Sequence, residues 1–200
     1  MPPVVSRQGR TVDDVTEQQP YGVLERHDGF EVRRYPSHVL AQVETVGSFE
    51  DAGNRAFRAL FRYITGNNQS QRVVNMTAPV VQQPARSEEV PMTAPVVQTE
   101  MSKGRHVVAF VMPASMTLET VPLPVDPDIQ VRAVPERIAA ARRYSGRWTQ
   151  SSYQRNLDTL VAAVVAEGYV PVGAPWFARY DPPFKPWLLR RNEVIQEVTR

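Results

Sequence analysis

The chain has 200 residues, no cysteine, and 23 basic against 21 acidic side chains, a formal net charge of +2. That composition excludes a disulfide framework, a thiolate metal site and a cysteine nucleophile, and the charge is too balanced for a nucleic-acid-binding stripe. No apolar run approaches the ~20 residues of a membrane span, and the first twenty residues lack a secretory signal's apolar segment, so the expectation is a cytoplasmic protein.

Residues 1–20 are polar and without period, and read as a disordered or loosely attached tail, which leaves 21–200 as a single domain. Residues 21–24 and 30–35 are short β-prone runs either side of His27-Asp28-Gly29, a hairpin-turn signal. Pro36 breaks the second run. Val39, Ala41 and Val43 then alternate with polar residues, as in a half-buried strand, and Leu40 suggests that both of its faces are covered. This alternation places His38 on the outer face.

Ser48 with Asp51 three residues on predicts a helix start. From there Ala56, Phe57, Leu60, Phe61 and Ile64 make one broad apolar face, beside Arg55, Arg58 and Arg62, and Gly66 ends the helix. Met76-Thr77-Ala78-Pro79-Val80-Val81-Gln82 then recurs letter for letter at Met92-Thr93-Ala94-Pro95-Val96-Val97-Gln98. Each copy ends as a β-branched run with a proline at its start or edge, so the pair predicts two extended arms around a polar loop. The methionine of each copy reads as core filler. Residues 106–112 form a dense apolar strand, and 117–127 a proline-rich connector.

The second half echoes the first. Phe30, Val32, Arg33, Pro36 and Gly47 correspond to Ile129, Val131, Arg132, Pro135 and Gly146 at a constant offset, and Phe57, Leu60, Phe61 and Ile64 to Leu157, Leu160, Val161 and Val164 one residue later. A strand–strand–helix unit present twice predicts an α+β fold, in which a pseudo-symmetric, duplicated antiparallel sheet forms a distorted barrel with two packed helices. Residues 169–172 and 176–180 then read as strands and 181–186 as a stiff loop, since three of its six residues are proline. A last strand over 192–198 closes the sheet.

Three blocks carry a resemblance. The repeated Met-Thr-Ala-Pro-Val, Val32-Arg33-Arg34-Tyr35, and Ala178-Arg179-Tyr180-Asp181-Pro182-Pro183 followed by Pro186 and Arg190-Arg191-Asn192-Glu193-Val194 together resemble the SOUL family of heme-binding proteins. The resemblance implies the same fold and a ligand, heme or a metal-free porphyrin, held between the first helix and the proline-rich loop. Carried over by position, it implicates Phe57, Leu60, Phe61 and Arg62 on the helix and Lys185 in the loop. Arg58 and Phe184 beside them complete the candidate set.

From spacing alone, that helix reads as an ordinary amphipathic helix covering a sheet. An apolar wall bordered by guanidinium groups also suits a flat, greasy molecule with carboxylates. His27, His38 and His106 have no metal-ligand spacing, and no serine stands in a nucleophile elbow, so no catalytic residue and no metal site is assigned. His38, Met76 and Met92 are the nominal axial ligands for an iron. Two positions depart from the family pattern: Asn54 stands where some members are basic, and Arg34 where some carry a histidine. Iron ligation through that histidine is therefore excluded, and binding would rest on apolar contact and propionate pairing. The expected role is an intracellular heme buffer or carrier. The alternatives are an enzyme acting on a tetrapyrrole, by iron removal or hydrolysis, since the fold resembles the gyrase-inhibitor-like superfamily, and a small-molecule sensor that docks a protein partner.

Overall fold

The computed structural model describes residues 16–71 and 87–200. The first copy of the repeated motif, residues 76–82, lies outside them. In chain order the elements are β1 (Glu17–Gln18), β2 (Gly22–His27), β3 (Phe30–Tyr35), β4 (His38–Val46), α1 (Phe49–Ile64), β5 (Asn68–Gln69), β6 (Thr93–Ala94), β7 (Val96–Ser102) and β8 (Arg105–Val111). They continue with β9 (Leu123–Pro124), β10 (Ile129–Val134), β11 (Arg137–Tyr144), α2 (Gln150–Ala166), β12 (Val170–Arg179), a single 3-10 turn (Trp187–Leu189) and β13 (Asn192–Thr199).

Local chemistry explains the helix ends. At the start of α1, Ser48 Oγ accepts from the Asp51 amide at 3.1 Å and donates to the Asp51 carboxylate at 2.8 Å. Thr149 repeats the device at α2, accepting from the Ser152 amide at 3.3 Å. Such a cap satisfies one of the amides that a helix start leaves unpaired. The two caps are also tied together, because the Gln150 amide at the start of α2 donates to Glu50 Oε1 of α1 at 3.0 Å.

Among the described residues, nine strands form one antiparallel sheet in the order β10–β4–β8–β7–β12–β13–β11–β3–β2. The duplication is visible in that order. Matching β3 with β10, β4 with β11, β7 with β12 and β8 with β13 makes the first eight strands read alike from both ends, with β2 added at one margin. The two sequence runs separated by Gly173 are a single strand, β12. Gly173 has φ +67° there, and the register slips between Val172 and Trp176.

The strand pairs of each repeat are not hairpins. β3 bonds to β2 and β11, whereas β4 bonds to β10 and β8, on the far side of the sheet. Only Pro36 and Ser37 join β3 to β4, and only Pro135 and Glu136 join β10 to β11. Three Cα–Cα steps span at most about 11 Å. The sheet must therefore curl until its margins face each other, which yields a distorted barrel that no ladder closes among the described residues. Each connecting proline lacks the N–H that would extend its ladder, so the chain steps across the seam there.

The curl sorts the alternating side chains. One face of β4, β8 and β10 (Val39, Ala41, Val43, Val108, Phe110) packs under Ala56, Leu60, Tyr63 and Ile64 of α1. The matching face of β3, β12 and β13 (Val32, Phe177, Val194, Val198) packs under Tyr153, Leu160 and Val164 of α2. The opposite face of every large-sheet strand but β2 converges on a void of only about 40 Å³ inside the barrel. Leu40 is buried, as its position in a two-sided strand predicts.

A groove between the first helix and the proline-rich loop

An apolar concavity of about 460 Å³ lies outside the barrel among the described residues, between α1 and residues 181–184. Its floor is the second Met-Thr-Ala-Pro-Val copy. Met92, Thr93, Ala94 and Val96 line it, and the Thr93 hydroxyl anchors this strand by donating to the Val111 carbonyl of β8. One wall is Gly53, Asn54 and Phe57 of α1, and the other is Asp181, Pro182, Pro183 and Phe184, with Trp148 also lining the groove.

The loop is braced from within. Lys185 Nζ donates to Asp181 Oδ1 at 2.6 Å, the Arg191 amide donates to the same carboxylate, and Arg190 Nε donates to the Lys185 carbonyl at 2.7 Å. Burial opposes the charge on Asp181, but the Arg191 amide and the Lys185 ammonium together hold its carboxyl below the ordinary value.

Arg179 is the group that sequence reasoning did not single out. Strand alternation puts it on the helix side of β12 with Phe177, where it lines the groove beneath α1. Its guanidinium carbon stands 5.1 Å from the centres of the Trp148 and Phe177 rings and 5.9 Å from that of Phe49. Its one hydrogen bond among the described residues is from Nη2 to Gln98 Oε1 at 2.7 Å, and its Nε is enclosed without a partner. Gln98 is itself held by donating to the Phe49 carbonyl at 2.8 Å. Burial pushes the Arg179 guanidinium down to about 10, against the opposing influence of Tyr144 and Glu50, so it is charged at neutral pH. Gly53 makes room for it: a Cβ there would stand 2.7 Å from Nη1.

The candidate residues divide. Phe57 and Phe184 line the groove, and Phe184 is 86 % exposed at its rim. Phe61 is 44 % exposed and stacks on Phe57 with ring centres 5.8 Å apart, extending the same stripe. Phe57 in turn meets Phe110 of the core at 5.4 Å. Leu60 points the other way and is fully buried beneath the helix. Arg58 is exposed on α1. Arg62 pairs with Asp126 at 3.8 Å, on the side of the 117–127 connector, and Lys185 pairs with Asp181.

Two further expectations change. Met92 is 37 % exposed on the groove floor and is not core filler. His38 lines the interior void, not the outer face, with Nδ1 2.8 Å from the Pro36 carbonyl. Of the nominal axial ligands, Met92 lines the groove, His38 does not, and Met76 lies outside the described residues. His27 pairs with Glu25 and Glu167, and His106 lies 3.2 Å from the Gly47 carbonyl.

A duplicated α+β fold with a curled, open sheet and a lateral apolar groove defines the class of protein by its build. The chain belongs to the SOUL heme-binding protein family, whose model matches residues 16–89 and 81–197. It is 25% identical over 166 residues to heme-binding protein 1 of Xenopus tropicalis, covering 82% of this chain and 81% of that one. It is likewise 25% identical over 178 residues to human heme-binding protein 2, covering 84% and 81%. In fold it is similar to the EcmrR C-terminal domain, with a TM-score of 0.60 at 12% identity over 86% of this chain and 97% of that one. No helix among the described residues is long and apolar enough to cross a membrane.

Proposed function

We propose that the protein binds heme or a related tetrapyrrole in the groove between α1 and the proline-rich loop, as a cytoplasmic buffer or carrier. The observation that carries this reading is the groove itself: a wall of Phe57, a floor of Met92 and Val96, a rim of Pro182, Pro183 and Phe184, and a cation set into its lining, in a chain of this family. Its volume falls within the roughly 300–1,000 Å³ usual for small-molecule sites. These residues fit a flat, largely apolar group that carries acids. Phe57 and Phe184 supply the contact area and displace water from the macrocycle, and Phe61 continues that surface along the helix. Arg58, Arg62 and Lys185 are the cations for acids at the rim. The pair Arg62–Asp126, with Arg62 66% exposed, can exchange for a ligand carboxylate at a cost of about 1 kcal/mol or less, whereas Lys185–Asp181 is part-buried and would share its ammonium.

Titration with hemin, followed by the Soret band and with protoporphyrin IX as the control, tests the reading. Phe57→Ala is expected to weaken both ligands by about 1.5–3 kcal/mol per folded molecule through lost apolar contact. Unchanged affinity in the folded variant would remove the site from this helix. Binding by contact and acid pairing also predicts hemin and protoporphyrin within about tenfold, or 1.4 kcal/mol. A hundredfold preference for hemin that disappears in Met92→Ala would establish iron ligation by the groove floor instead.

A further inference from the structure

We infer that Arg179 is an internal receptor for one carboxylate of the tetrapyrrole, so that the ligand enters acid-first and macrocycles lacking a free acid are rejected. The inference rests on the tetrapyrrole reading and adds to it an orientation and a chemical requirement. A guanidinium has five N–H donors, and among the described residues Arg179 uses one of them, on a neutral amide. Its Nε is enclosed without a partner. Among the described residues the groove lining holds two charged side chains, Arg179 and Asp181, and Asp181 is already bonded to Lys185 and to the Arg191 amide. Glu50, the acid whose charge bears on Arg179, is turned to the Gln150 amide at the start of α2.

Arg179 is half-buried, and a charge withdrawn from water with no counter-charge among the described residues is costly, yet the position is built to hold one. Gly53 clears the space, Gln98 fixes one edge of the guanidinium, and Phe49, Trp148 and Phe177 surround it with rings. An arriving carboxylate would fill the unused donors and neutralise the charge where water is scarce and the attraction strong. Rim cations already paired in solvent cannot offer that difference.

The test compares protoporphyrin IX with its dimethyl ester, followed by porphyrin absorption, on the wild type, Arg179→Met, Arg179→Lys and Phe57→Ala. The wild type is expected to prefer the diacid over the diester by on the order of thirtyfold or more, the range for breaking a desolvated charge pair. Arg179→Met should lose a similar factor for the diacid and stay within about threefold for the ester, and Arg179→Lys should recover part of the loss. Equal wild-type affinity for acid and ester overturns the inference, and this comparison needs no variant to fold. Arg179→Met weakening acid and ester alike would make the residue a structural strut and overturn it too. If Phe57→Ala weakens both ligands while Arg179→Met changes neither, the tetrapyrrole reading survives and this inference falls. If the wild type binds neither compound, both fall.

Discussion

Glu193→Ala is expected to destabilise the protein by about 3–5 kcal/mol, because it takes from the buried Arg33 its fully buried carboxylate and leaves only Glu31, 28% exposed, at 2.9 Å. Glu193 is fully buried on β13, and its carboxylate accepts from Arg33 Nη1 at 2.7 Å, Arg191 Nη2 at 2.8 Å and the Tyr180 hydroxyl at 2.9 Å. Arg33, on β3, is 4 % exposed and lies over the Tyr21 ring at 4.1 Å. Strand β11 stands between β3 and β13, so the carboxylate joins strands that do not bond to each other.

Burial alone would raise the Glu193 carboxyl, but the Arg33 hydrogen bonds and charge, followed by those of Arg191, hold it below its ordinary 4.5. A carboxyl depressed in the folded state stabilises that state fully above its unfolded value. The contribution is lost as pH falls from about 4.5 through the lower folded value. Urea denaturation at a series of pH values should therefore show wild-type stability declining below about pH 4.5, with a flatter curve for the variant. A variant within about 1 kcal/mol of wild type at neutral pH would mean that solvent replaces the carboxylate at little cost.

Leu60→Ala is the second large effect, about 2–5 kcal/mol of stability, with affinity per folded molecule unchanged. Leu60 is fully buried among Val39, Val108, Phe110 and Ile64, so truncation leaves a cavity that the curled sheet and helix cannot easily close. Denaturant midpoints measure the first quantity, and protoporphyrin titration of the folded variant measures the second. The family resemblance implies Leu60 as a ligand contact. A variant with an unchanged midpoint and weakened binding would restore it to that role.

Leu60 also marks where the sequence stops being informative. Phe57, Leu60 and Phe61 are equally apolar and share one broad helical face, so nothing local separates them. The sheet separates them, because β4 and β8 take the stripe of Ala56, Leu60, Tyr63 and Ile64 and leave Phe57 and Phe61 beside the groove. Met92 carries the same lesson. A methionine next to a β-branched run reads as filler, but the short parallel pairing of β6 with β1 places the run beside the opening. Strand alternation was enough to put Arg179 on the side of Phe177. It could not reveal that no acid among the described residues bonds to it there, since its surroundings come from α1, β7 and the segment before α2.

The sequence by itself determined most of the longer elements and their duplication. Caps, turn glycines and prolines act over three or four residues, and a constant offset between two halves is written along the chain. Ser48 with Asp51, Gly66, Pro36 with Pro135, and the paired helix positions were all of that kind. Only the tertiary structure decided that β3 and β4 are separated across the sheet, that the sheet curls without closing, and which polar groups the curl leaves facing one another. Those outcomes depend on contacts between residues far apart in the chain: Glu193 with Arg33, Glu50 with the Gln150 amide, and Gly53 with Arg179. No local pattern encodes a partner a hundred or more residues away, so the groove's lining became readable only once the chain was folded.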